Sequence, residues 1–163
     1  MLVGKSVHNQ RIERLWRDVY GGVIKFYHDL FLYMEAIGVL DPDDETHLFC
    51  LHFVYIPRIN NHLEQWTGAW INHSICTADN LSPLQLWMGG ILQANEDVDE
   101  LYGIDYEGPL PEVKEDGDVS VPTISTSITE DEFEDLCLMI DPMATSHNYG
   151  IDIYLEVLHY VSQ

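Results

Sequence analysis

The apolar residues Ile12, Trp16, Val19, Val23, Phe26, Tyr27, Leu30, Phe31 and Met34 recur at the spacing of one helical face. That amphipathic period runs from Asn9 to about Ile37 and commits the first part of the chain to helix. Gly21-Gly22 interrupts it, which predicts either a kink or two consecutive helices. Gly38 ends the run, and Asp41-Pro42-Asp43-Asp44-Glu45 restarts the chain with N-cap residues and early acids. A second helix is expected from about Glu45 to Asn72, with Leu48, Leu51, Tyr55, Ile59, Leu63, Trp66 and Trp70 on one face and a bend at Pro57. Ser82-Pro83 opens a short third helix to about Leu92, with serine as cap and proline in the first turn.

After Gln93 the character changes. Residues 94–128 combine acids, Pro109, Pro111, Pro122 and a Ser/Thr-containing stretch from Val119 to Ser127, with little apolar periodicity, and read as an acidic, disordered linker. Order returns at Thr129, which with Glu132 makes a capping box ahead of Phe133, Leu136, Met139 and Ile140. A last helix from Ile151 to Val161 carries Ile151, Tyr154, Leu155, Leu158 and Val161. The expected organisation is therefore a helical region over 1–92, a linker over 93–128 and a helical segment over 129–163. No internal repeat is evident.

The net charge of −21 is distributed unevenly. Residues 1–92 hold six basic and ten acidic residues, net −4, whereas residues 93–163 hold Lys114 against eighteen acidic residues, net −17. A surface that acidic repels phosphate backbones, so the second half is not expected to bind nucleic acid directly. A membrane span is not expected, because the apolar run around Leu48 to Ile56 is broken by His52 and ends at Pro57. There is no basic region followed by an apolar stretch at the N-terminus. Cys50, Cys76 and Cys137 are odd in number and widely spaced, which fits an intracellular, reducing compartment rather than a disulfide framework or zinc site.

Glu13 is the candidate functional carboxylate. On a wheel of about 100° per residue, Ile12, Trp16, Val19 and Val23 centre roughly 90° to one side of it, and Asn9 and Arg17 flank it at about 40°. Glu13 thus sits between the apolar stripe and solvent, a position suited to a carboxylate reaching a metal at a cleft. The plainer role is a surface residue paired with Arg17 at i+4.

Asn9-Gln10-Arg11-Ile12-Glu13-Arg14-Leu15-Trp16 resembles the integrase core pattern of an Asn four residues before a catalytic Glu on an apolar-rich helix. Downstream, Trp70-Ile71-Asn72-His73-Ser74 and Asn80-Leu81-Ser82-Pro83-Leu84-Gln85-Leu86-Trp87 resemble that family's aromatic, Asn and His segment and its Ser/Thr-Pro helix start. The likeness covers about residues 4–92 and is closest to integrase cores derived from transposable elements in animal genomes. It implies a ribonuclease H-like fold, DNA as substrate, Mg²⁺ or Mn²⁺ held by two Asp and one Glu, and a nuclear location.

Two-ion strand transfer needs clustered carboxylates to activate the attacking oxygen and steady the leaving one. In the family both Asp precede the Glu, and only twelve residues precede Glu13 here. The expectation is a mainly α chain: the helical C-terminal part of such a core, lacking most of the sheet, plus an acidic, partly disordered tail. Glu13 is then an incomplete metal site with Asn9 in support, and the chain carries neither catalysis nor a cofactor. A start of the reading frame upstream of Met1, supplying strands and two Asp, is the alternative that restores an enzyme.

Arg11, Arg14 and Arg17 suit phosphate contacts along one helix side, against the simpler role of solvated arginines offset by Glu13 and Asp18. His47, His52, His62 and His73 have no metal-ligand spacing and read as core or edge residues. Cys50 reads as a small buried hydrophobe. Gly21-Gly22 and Gly89-Gly90 lack the context of a phosphate loop. A competing reading is a protein-interaction module presenting Trp66, Trp70 and Trp87, with the acidic tail recruiting a basic partner. Its segment 129–140 either docks on a partner or folds onto the other helices. Apolar faces left without a sheet predict self-association or dependence on a partner.

Overall fold

The computed structural model describes residues 6–93 and 128–162, with side chains from residue 12 onward. Its helices are α1 (Ser6–Val19), α2 (Lys25–Ala36), α3 (Glu45–Asn72), α4 (Pro83–Gln93), α5 (Glu130–Met139) and α6 (Ile151–Val161), with a short 3₁₀ turn at Cys76–Ala78. Among the described residues there is no strand, and the sole β feature is an antiparallel bridge between Ile75 and Leu81. The chain is mainly helical. Of the linker expected over 93–128, residues 94–127 lie outside the described residues.

Gly21 and Gly22 fall in a π-helical turn, Tyr20–Ile24, that joins α1 to α2. An extra residue per turn is accommodated where two consecutive glycines relax the backbone, so the sequence break is a change of helical pitch. Gly38 ends α2 with φ of 73°, its N–H donating to the Glu35 carbonyl while Val39 N–H donates to Met34. That is a Schellman ending, which needs the left-handed conformation at glycine. Pro57 lies inside α3, which continues through it.

The chain divides into two compact units, one of residues 1–21 and 64–118, the other of residues 22–63 and 119–163. All buried hydrophobic side chains of the described residues belong to the second unit. There α2 supplies Tyr27, Leu30 and Met34, and α3 supplies Phe49, Cys50, Leu51, Val54 and Tyr55. Helix α5 adds Leu136, and α6 adds Ile151, Ile153, Tyr154 and Val157. Residues 129–140 thus fold onto α3, with the Phe133 ring against Phe49 and Phe53 at 6.2 and 6.1 Å. The Thr129–Glu132 capping box is present: Glu132 N–H donates to Thr129 Oγ1 and Thr129 N–H to the Glu132 carboxylate at 2.7 Å. That bond holds the Glu132 carboxyl below its usual range.

Tyrosine hydroxyls thread this core. Tyr27 donates to the Arg58 carbonyl at 3.1 Å, and Tyr55 reaches the Met34 sulfur at 3.5 Å. Tyr154 Oη lies 2.8 Å from His47 Nδ1, which also accepts the Asp41 N–H. Burial raises the pKa of all three phenols. It also pushes the Cys50 thiol up to about 11.

Val23, Tyr27, Leu30, Met34, Leu51, Tyr55, Leu136, Ile140, Ile151 and Tyr154 are buried as their period implies, and other positions depart from it. Phe49, Cys50 and Val54 are buried, while Leu48, Ile59 and Leu63 are half-buried. In α6, Ile153 and Val157 are buried and Leu155 is exposed; in α5, Met139 is exposed. In α3 the buried stripe is centred roughly 100° from the expected one, because α2 and α5 both pack against it. In the first unit, Ile12 is 54% and Trp16 67% exposed. On this stripe of α1 Val19 is half-buried.

Two outcomes are expected. Leu136→Ala, which empties a fully buried site, should lower stability by about 2–4 kcal/mol in a urea melt; Leu138→Ala, at a residue 86% exposed, should stay within about 0.5 kcal/mol. In thiol labelling of the folded chain at mildly alkaline pH, Cys76 and Cys137 should react promptly and Cys50 only on unfolding.

Candidate functional site

Glu13 lies on α1, and a cleft of about 640 Å³ lies beside that helix in the first unit. Its walls are Ile12, Arg14, Leu15 and Asp18 from α1, with Trp70 and the segment His73–Thr77. On a wheel of about 100° per residue these α1 positions lie roughly 100–260° around from Glu13. The Glu13 side chain therefore stands on the face opposite the cleft, exposed to solvent. The positions of α1 that line the cleft centre near Leu15 and Asp18, with Ile12 at one edge.

The opposing wall is built by the end of α3 and the loop after it. Trp66 and Trp70, one turn apart, stack with centroids 6.2 Å apart and planes inclined by 18°. Asn72 Nδ2 donates to the Gly68 carbonyl at 2.7 Å, which draws the final turn of α3 tight. His73 Nδ1 hydrogen-bonds the Trp70 carbonyl, and its ring lies 5.7 Å from Trp70. Past the helix, Ser74 Oγ donates to the Asn80 carbonyl at 3.1 Å, and Ile75 N–H donates to Leu81 at 3.0 Å. Asp79 and Asn80 both adopt left-handed backbone, φ 53° and 60°, which Asp and Asn tolerate in turns. The loop so closed delivers Ser82 to the start of α4.

Ser82 is the buried residue of this unit's described part. Its N–H donates to Gln85 Oε1 at 2.9 Å and its Oγ accepts the Gln85 N–H at 3.3 Å, a reciprocal capping box. The Ser-x-x-Gln spacing carries that signal in the sequence. Asp18, Ser74, Cys76 and Thr77 line the cleft with no motif to announce them.

Of the candidate residues, Arg14 lines the cleft and Arg17 does not. Among the described residues no ion pair joins Glu13 to Arg17. The side chains of Asn9 and Arg11 lie outside the described residues. Trp87 is 63% exposed on α4. Ser74 and His73 spend hydrogen bonds on holding the loop, so neither is arranged as a nucleophile with its base. A pair of divalent ions needs three or more clustered oxygen or nitrogen donors. Among the described residues no group of three His, Cys, Asp or Glu is placed to supply them. The donor set described does not fit the metal centre implied by the resemblance. The cleft offers instead one cation, one carboxylate and an aromatic wall, a surface suited to binding. No described helix is long and apolar enough to cross a membrane.

A family model described as an integrase core domain matches residues 1–100. No curated protein and no solved structure matches the chain.

Ser82→Ala removes the box that starts α4 and should cost about 1 kcal/mol, with Ser82→Thr retaining most of it. Faster amide exchange through the first turn of α4, with exchange of α6 unchanged, is the expected pattern.

Proposed function

Because this chain belongs to the integrase core domain family over residues 1–100, we propose that it is a degenerate core derived from a transposable element, in which the ancestral metal-dependent DNA strand transfer is no longer carried out. The observation that carries this reading is the orientation of Glu13. A metal ligand must face the cleft where the scissile phosphate would lie, and here the lining positions of α1 point the opposite way. In this reading α1, α3 and α4 descend from the helices of a ribonuclease H-like core. Glu13 and Asn9 keep their sequence pattern as ancestry alone.

Affinity for DNA should be low on electrostatic grounds. The net charge of −21 opposes approach of a phosphate backbone, and the cleft that Arg14 lines also carries the Asp18 carboxylate of the same helix. Uncovered apolar side chains such as Trp16 and Trp87 favour a role in association with protein.

The test is direct. The purified chain, incubated with supercoiled and end-labelled DNA in Mg²⁺ or Mn²⁺, is expected to give no nicking or strand transfer above a metal-only control, and Glu13→Ala should change nothing. Metal-dependent cleavage that disappears in Glu13→Ala would overturn the reading.

A further inference from the structure

The second unit contains a hollow of about 710 Å³ that the integrase reading does not use. One wall is a single face of α2, with Phe26, Asp29 and Tyr33 at helical spacing. The other is the turn before α6, which carries Tyr149.

Tyr149 is held in an unusual way. Its backbone is left-handed, φ 63°, a conformation rare for a bulky residue. The chain is pinned on both sides of it: Ser146 Oγ accepts the N–H groups of Asn148 at 3.2 Å and Gly150 at 2.7 Å. Gly150, φ 96°, lies so close to Arg58 that a Cβ there would stand 3.1 Å from Nε, and Arg58 Nη2 donates to the Ala144 carbonyl at 2.7 Å. For all this bracing, the Tyr149 ring is 66% exposed, packed edge-on to Phe26 with centroids 5.4 Å apart. Burial does not account for the strain. A ring fixed in place yet open to solvent is pre-organised to meet something.

We propose that this hollow binds an alkylated ammonium group, with the rings of Phe26, Tyr33 and Tyr149 as its walls and the Asp29 carboxylate as its counter-charge. Aromatic faces attract cations through their quadrupole, and alkylated ammonium is easily stripped of water. Asp29 adds charge, although its Oδ1 also meets His28 Nδ1 at 3.3 Å. The net charge of −21 raises the local concentration of cations and excludes anions. The same chemistry is presented by a free choline-like molecule and by a methylated lysine on a protein. The proposal does not rest on the integrase reading, since none of the groups it uses is in the first unit.

The test uses the full chain, with calorimetry and saturation-transfer NMR at low salt. The probes are choline, its neutral carbon isostere dimethylbutanol, and a trimethyllysine peptide beside its unmodified form. Saturable binding of choline or of the trimethyllysine peptide is expected, with the isostere at least about tenfold weaker than choline. The tighter of choline and the modified peptide assigns the source. Tyr149→Leu should weaken binding about tenfold and Tyr149→Phe should retain it, because the ring and not the hydroxyl is used. Tyr33→Leu, with unchanged circular dichroism, gives the same answer if Tyr149→Leu fails to fold. Equal binding of the isostere, no saturable binding of either cation, or equal loss in the leucine and phenylalanine variants would overturn the proposal.

Discussion

A hydroxyl carried into an apolar core must find a partner there, and the second unit is organised around three that do. Tyr27, Tyr55 and Tyr154 bring large apolar bodies inside, and each hydroxyl is placed on an acceptor of another segment: the Arg58 carbonyl, the Met34 sulfur, and His47 with the Val39 carbonyl. These bonds join α2 to α3 and α6 to the loop before α3, which fixes the rotation of each helix about its own axis. Apolar contact alone would tolerate small rotations; a hydroxyl aimed at one acceptor does not. The Tyr149 turn inherits its position from the same frame through Arg58, whose carbonyl holds Tyr27 while its guanidinium holds Ala144.

The first unit is built on a different principle. Its described residues bury no hydrophobic side chain, and what holds them is local: a stacked Trp66–Trp70 pair, an Asn72 tie into its own helix, and a reciprocal Ser82–Gln85 cap. Local bonds of this kind define backbone path without defining a deep interior. The family match covers residues 1–100, and so spans all of the first unit that is described together with all of α2 and α3. Membership in an integrase family therefore coexists with a well-packed core that is completed by residues beyond the matched span, α5 and α6.

Much of the secondary structure was legible before any coordinates. Helix ends at Glu45, Asn72, Ile151 and Val161 follow from caps, acids and period, and the Thr129–Glu132 box was readable as a pattern of four residues. The candidate site was legible only in part. Arg14 and Asp18 reach the cleft from α1, and Ser74 and Thr77 reach it from the loop after α3, a meeting of distant segments that no local pattern encodes. Glu13 carries the resemblance in sequence, and the positions of α1 that line the cleft lie on the other side of the helix. Periodicity gives the angle between Glu13 and an apolar stripe, but whether that stripe or another face turns toward the neighbouring segment depends on what packs there.

The sequence by itself determined that this chain is helical, where most of its helices start and stop, which family residues 4–92 resemble, and that its charge is strongly negative. These follow from short-range rules: 3.6-residue period, capping chemistry, left-handed glycine at Gly38, and the sum of side-chain charges. Only the tertiary structure decided which face of each helix is inside, that Glu13 faces away from the cleft, and that Tyr149 is braced beside Phe26. Those outcomes depend on contacts such as Arg58 with Ala144, eighty-six residues apart, and no local pattern encodes a bond at that separation.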